Sequence, residues 1–373
     1  MDRVRPKPRN SNVELLRIAC MILIVLHHYG VYGFDALELP HTLNRYVVSF
    51  CSLGGKIGVA CFMLISGYYM VYSKFTLRKL VKLAAEAWFY SVGIGLLFLT
   101  VLEPAGPIGL VDFLRMFLPI GHRLNWFMAD YVVVMLASPF LNLLVAHMSQ
   151  KTHAGLLAGV TALWWILPCL TLGKYGFDDL RLLVALYLYA AYIRKYVDVE
   201  KRNARRHFLV ALLSFLMIAA TAAALIYLGY RFGIQTFIEK NRFFAGLYSP
   251  FVLLASVELF IGIIKLKPRY IRPVNVLASA TLGVYLIHDN RMFRPYLWRT
   301  LLRVPEMYDR PCLILHALAC TALVYLGCSC VDLIRQYSVE RALLRVWDAN
   351  YPRWRDGALH AAQSSTPRAR YYG

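Results

Sequence analysis

An arginine and a histidine lie in the first apolar stretch of the chain, 14–33, at a spacing that could serve chemistry. Arg17 and His28 are eleven positions apart, which places both within about 20° of one helical stripe and roughly 16 Å apart along the axis. His27 would point about 80° away from this stripe. Ionisable side chains inside a membrane helix are costly and usually functional. The alternative is that both side chains snorkel to the interface.

A second group of polar residues ends the ninth apolar stretch, in the sequence SATLGVYLIHDN. Tyr285 and His288 are three positions apart and would share a helix face, and Asp289 is four positions from Tyr285. We count Tyr285 and His288 as catalytic candidates beside Arg17 and His28, because they could orient a substrate or stabilise developing charge. The alternative is a tyrosine of the aromatic belt with interfacial polar neighbours.

Three acidic residues are further candidates for buried polar positions. Glu14 is three positions before Arg17, so an ion pair is available, although Glu14 could also be a helix cap. Asp130 lies about one and a half turns into the fourth apolar stretch and could orient a histidine or pair with a buried arginine. Glu258 is flanked by LLASV and LFIGII and should face the interior of a helical bundle. A structural and a catalytic role are both open for Asp130 and Glu258.

Cations cluster before the third apolar stretch, in the sequence SKFTLRKLVK. Such a cluster could hold the phosphates of an anionic cytosolic substrate such as a nucleotide or coenzyme A. It could equally be a topology signal on the cytoplasmic side of the membrane. Charge alone does not separate the two readings.

The composition is that of a polytopic membrane protein. Hydrophobic residues make up 59% of the chain and charged residues 17%, and the mean hydropathy is +0.51. The apolar residues occur in blocks near bilayer-spanning length, which predicts an all-α bundle of about ten transmembrane helices. The predicted segments are 14–33, 47–72, 83–102, 125–147, 154–172, 181–193, 207–229, 244–264, 274–290 and 311–334.

Other protein classes lose support. The net charge of +20 is distributed between apolar blocks, as topology signals are, so we expect no nucleic-acid partner. The eight cysteines form no CxxC pair and no metal-ligand spacing, so we expect no metal. The chain has no Walker A loop, Rossmann fingerprint or nucleophile elbow.

The loops set the predicted orientation. With the N-terminus in the cytoplasm, most lysines and arginines fall on the cytoplasmic side, as the positive-inside rule requires, and both termini lie inside. The predicted domains are a basic N-terminus (1–13), a ten-helix transmembrane domain (14–334) and a polar basic tail (335–373), which lies on the membrane surface or is disordered.

These motifs together resemble the membrane acyltransferase 3 family. Arg17 and His28 match its R-x10-H motif, and GVACFMLISGYYM is similar to its second-helix pattern. KFTLRKLVK resembles the basic start of its third helix, while NWFMADYVVVMLASPFLN and LGVYLIHDN resemble further landmarks. The resemblance covers residues 10–335. The family has R-x-x-R where this chain has Lys79 and Lys82, which supply charge without the bidentate fork of arginine.

The resemblance implies an O-acyltransferase in the cell (plasma) membrane. It would move an acyl group, expected to be acetyl, from cytosolic acyl-CoA to a hydroxyl group. The acceptor would be a surface or envelope glycan or a lipid-linked saccharide. Arg78, Lys79 and Lys82 would bind the phosphates of the acyl-CoA donor. Arg17 would lie deeper in the bundle, along the pantetheine arm of the donor. His28 would act as general base or carry the acyl group. The alternative function is a secondary transporter with a substrate and proton path through the buried ionisable residues.

Overall fold

The computed structural model describes residues 9–35, 39–102, 109–173, 178–198 and 203–351, and within these ranges it is helical without strands. Parts of the predicted N-terminal segment and tail, 1–8 and 352–373, lie outside the described residues. The helices are α1 Ser11–Tyr32, α2 Leu43–Cys51, α3 Gly55–Met70, α4 Leu77–Thr100, α5 Leu110–Met116, α6 Trp126–His147, α7 Gln150–Thr161, α8 Leu167–Leu170, α9 Asp179–Tyr196, α10 Ala204–Phe232, α11 Gln235–Glu239, α12 Pro250–Ile264, α13 Arg272–Ser279, α14 Thr281–His288, α15 Phe293–Pro295 and α16 Leu313–Arg335.

The predicted all-α polytopic class is confirmed. Eight helical segments in the described ranges are long and apolar enough to cross a membrane. The other two predicted segments are also helical: 181–193 lies in α9, and 274–290 is divided into α13 and α14 around Ala280. The last segment continues beyond the predicted boundary at residue 334, as a helical stretch that reaches Tyr351. The cytoplasmic placement of both termini stays a prediction.

Helix α1 lies at the centre of the bundle. It packs against α3, α12, α13, α14 and α16. Its first turn is capped by the Asn10 side chain, which accepts a hydrogen bond from the Asn12 amide. The Ser11 hydroxyl donates to Asn275 at 2.8 Å and accepts from the Ile271 amide at 2.7 Å, which joins the start of α1 to the start of α13.

Helix α3 is the most buried of the spans. In the segment Leu43–Met70, 89% of the residues in its apolar 18-residue stretch are buried. In the peripheral segment Ala204–Phe232, the buried share of the corresponding stretch is 28%. The helical backbone of this segment is interrupted between α2 and α3. The imidazole of His27 is hydrogen-bonded to the carbonyl oxygen of Ser52 within this break, so a carbonyl group that leaves the helix is satisfied inside the protein.

Glycine allows α3 to approach α1 closely. A Cβ atom at Gly58 would lie 2.6 Å from the carbonyl oxygen of Cys20, which belongs to the α1 backbone and has little freedom to move. Close backbone contact through small residues is a common way to pack helices in membranes. The sequence of α3 therefore fixes the position of α1, and with it the positions of Arg17 and His28.

We predict that Gly58→Ala destabilises the protein by roughly 1–3 kcal/mol, because the added methyl group forces α1 and α3 apart. Thermal unfolding in detergent measures the effect. The control is Gly93→Ala in α4, where a Cβ atom has no neighbour within 4 Å and alanine favours the helix. Equal stability of the two variants would contradict the close α1–α3 contact.

Candidate active site

A cavity of about 220 Å³ lies between α1, α3, α4, α6 and α14. Arg17 and His28 both line it, as the shared helical stripe requires. Tyr285 of α14 lines it as well. The structure therefore brings three of the four predicted catalytic residues to one cavity, and the fourth, His288, contacts His28 directly.

His28 is held by a hydrogen bond across the helices. Its Nδ1 atom lies 2.9 Å from Nε2 of His288, and Nδ1 of His288 lies 2.6 Å from the carbonyl oxygen of Val284. A carboxylate oxygen of Asp289 lies 3.8 Å from Nδ1 of His28. His28 and His288 are both buried, with 7% and 0% of their surface exposed.

Residues not chosen from the sequence complete the walls of the cavity. The ammonium group of Lys56 lies over the ring of Trp126, 4.2 Å from its centroid, and both residues line the cavity. The ring of Tyr32 lies 4.9 Å from that of His28. His27 also lines the cavity, while its imidazole is hydrogen-bonded to the Ser52 carbonyl oxygen at the break before α3. The sequence did offer a signal for Lys56, because a lysine inside a predicted membrane segment is costly and usually functional.

The candidate donor cations are at the start of α4, where their neighbour Leu83 lines the cavity. Arg78 donates two hydrogen bonds, of 2.7 and 2.9 Å, to the carboxylate of Asp348. Lys82 lies 2.6 Å from Glu340. Lys79 reaches the Ser73 hydroxyl at 3.4 Å. Cations and carboxylates thus face each other at this end of the bundle, and a phosphate role for the cations stays a prediction.

The three acidic candidates pair with different bases. Glu14 lies 3.6 Å from Arg17, as the sequence spacing predicted. Asp130 is buried and lies 2.8 Å from Arg123, and Glu258 is hydrogen-bonded to His207 of α10. Neither Asp130 nor Glu258 lines the cavity, and each is paired with a basic side chain outside it.

A buried ion network at the end of α16 was not foreseen. The guanidinium of Arg335, 5% exposed, lies 2.8 Å from Asp332, 3.1 Å from Glu86 and 2.9 Å from Glu340. Tyr90 donates a 2.7 Å hydrogen bond to Asp332. This network joins α4 to the helical stretch that follows α16 and places Glu340 beside the donor cations.

The fold and its helices define a multi-pass integral membrane protein. A family model described as an acyltransferase domain, that of the acyltransferase 3 family, matches residues 10–331. The chain therefore belongs to the membrane acyltransferase 3 family and is an acyltransferase, which removes the transporter alternative. A search of curated proteins found no match, and a search of solved structures found none.

We predict that Arg335→Met destabilises the protein by about 3–5 kcal/mol, because the buried carboxylates of Glu86 and Asp332 are left without their counter-charge, whereas Glu340 keeps Lys82. Chemical unfolding followed by tryptophan fluorescence measures the loss. Arg345→Met, on the exposed face of the same helical stretch, is the matched control and should change stability by under about 0.5 kcal/mol. A small effect of Arg335→Met would show that the network does not hold α4 to the C-terminal stretch.

Proposed function

We propose that this acyltransferase moves an acyl group, in the first place acetyl, from cytosolic acyl-CoA to a hydroxyl group of a cell-surface or envelope glycan, or of its lipid-linked precursor. The proposal places the protein in the plasma membrane. The observation that carries it is the cavity that Arg17 and His28 share inside an apolar bundle. A thioester is already activated, so the enzyme must mainly position it and remove a proton from a weak nucleophile.

The donor enters from the cytoplasmic side in this proposal. Arg78, Lys79 and Lys82 hold the phosphates of acyl-CoA, and the pantetheine arm passes Arg17 on its way into the cavity. The distance between Arg17 and His28, roughly 16 Å along the helix, is comparable with the length of such an arm. Glu340 and Asp348 already neutralise two of these cations, so they compete with the donor phosphates.

The chemical step takes place at His28. An acceptor hydroxyl group gives its proton to the free nitrogen of the imidazole while its oxygen attacks the thioester carbonyl carbon. The carbon–sulfur bond then breaks, and the thiolate of coenzyme A receives the proton back from His28. Lys56 and Tyr285 border the same space, where a cation or a hydroxyl group stabilises the negative charge on the carbonyl oxygen.

We predict that His28→Ala lowers transfer by at least about a hundredfold, because the general base is lost. CoA binding should be largely retained, since the phosphate cations are untouched. Acetylation of surface glycans, measured by mass spectrometry at matched expression, is the readout. His27→Ala should be partly active, because it loses a contact with Ser52 but not the base.

The control for His28→Ala is His147→Ala, at the exposed end of α6, which should be as active as the unmodified protein. Robust transfer by His28→Ala would exclude His28 both as general base and as acyl carrier.

For the donor site we predict that Lys79→Gln combined with Lys82→Gln weakens acetyl-CoA binding by about tenfold or more, because each charged hydrogen bond to phosphate contributes about 1.5–3 kcal/mol. Isothermal titration calorimetry in detergent gives the affinity. The matched control, Lys151→Gln with Lys267→Gln, removes the same charge from the same predicted side. Equal affinity in the two double variants would show that the cations at the start of α4 do not bind the donor and serve only as a topology signal.

A further inference from the structure

The chain of hydrogen bonds behind His28 has a defined direction. The carbonyl oxygen of Val284 can only accept, so Nδ1 of His288 must carry the proton in their 2.6 Å hydrogen bond. A second proton on His288 would place a positive charge on a fully buried ring, which is costly. Nε2 of a neutral His288 is therefore an acceptor.

The acceptor on His288 decides the tautomer of His28. The 2.9 Å hydrogen bond between the two rings requires a proton on Nδ1 of His28, and Nε2 of His28 then carries the lone pair. Nε2 lies on the opposite edge of the ring and makes no hydrogen bond to any residue that the structure describes. Because the ring lines the cavity, its basic nitrogen is left for the substrate.

Asp289 follows His288 and supplies the charge that this arrangement needs. Its carboxylate lies 3.8 Å from Nδ1 of His28 and 3.2 Å from Arg294. The guanidinium of Arg294 in turn lies over the ring of Tyr32, 4.0 Å from its centroid. Asn125 donates a 3.3 Å hydrogen bond to the carbonyl oxygen of Asp289. Arg294 thus holds the carboxylate beside His28, and Asn125, which precedes α6, holds the backbone of the same residue.

We propose that His288 and Asp289 are positioning residues for His28: His288 fixes the tautomer with the lone pair on Nε2, and Asp289 balances the charge when that nitrogen takes the acceptor proton. This inference rests on the proposed function, because it needs His28 to act on a substrate. The same tautomer serves an acyl-histidine intermediate, since Nε2 is also the nucleophile. Neither His288 nor Asp289 needs to touch the substrate.

The test of the tautomer compares His288→Leu with His288→Gln. Glutamine can accept from His28 through its carbonyl oxygen and donate to Val284 through its amide, whereas leucine can do neither. We expect kcat to fall about a hundredfold in His288→Leu, because a misoriented imidazole loses most of its catalytic effect. His288→Gln should stay within about tenfold of the unmodified protein. The KM for acetyl-CoA should be unchanged in both variants.

Asp289→Asn tests the charge separately from the shape. We expect a fall in kcat of about tenfold with an unchanged KM for acetyl-CoA, because asparagine fills the same space without the negative charge. Leu286→Met, a buried change on the same helix, is the control and should keep full activity. Thermal unfolding and acetyl-CoA calorimetry establish that every variant is folded.

The outcomes separate this inference from the proposed function. Full activity of His288→Leu, with His28→Ala inactive, would overturn the positioning role and leave the proposed function intact. Equal losses in His288→Leu and His288→Gln in folded protein would also overturn it, because the hydrogen-bonding capacity of residue 288 would then be irrelevant. Robust activity of His28→Ala would contradict the proposed function itself.

Discussion

The hydrogen bond between His28 and His288 joins residues 260 positions apart in the sequence and connects the central helix to α14 beside the cavity. A buried polar group that loses its hydrogen-bond partner is costly, so such groups in a membrane bundle find their partners in the protein. The geometry of the site therefore depends on keeping α1 and α14 in one fixed relation. The contacts of Ser11 with Ile271 and Asn275 join the other end of α1 to the start of α13, the helix that precedes α14.

Close packing of α3 supports this relation from the other side. Gly58 lets the α1 and α3 backbones meet at a distance that any larger side chain would prevent. The imidazole of His27 binds the Ser52 carbonyl at the break before α3. Thus the two adjacent histidines have different tasks, one anchoring the broken helix and the other facing the cavity with its free nitrogen.

The charged end of the bundle follows a different physical rule from the cavity. Arg335 is buried among three carboxylates, so removing it would leave uncompensated charge. The pair of Arg78 with Asp348 is about half exposed on each side, and such pairs contribute little to stability. The buried network of Arg335 can therefore hold the C-terminal stretch near the donor cations. The exposed pair of Arg78 with Asp348 can open, so the cations remain accessible to a phosphate group.

The sequence by itself determined the class of fold, the family and the alignment of Arg17 with His28 on one helix face. Apolar blocks report membrane helices because the bilayer fixes their length, and the helical period is enough to align Arg17 with His28. The division of 274–290 at Ala280 and the helix beyond residue 334 were not visible, because apolar patterning does not register a break between two short helices or ion pairs between distant segments.

Only the tertiary structure decided which residues surround the two candidates on α1. Periodicity relates residues on one helix, but it carries no information on which helices are neighbours. The contact of His28 with His288 and Asp289, the place of Lys56 and Trp126 in the cavity wall, and the acids facing Arg78 and Lys82 all depend on packing between segments far apart in the chain. The tautomer of His28 is set by a partner from another helix, so the sequence around residue 28 could not reveal it.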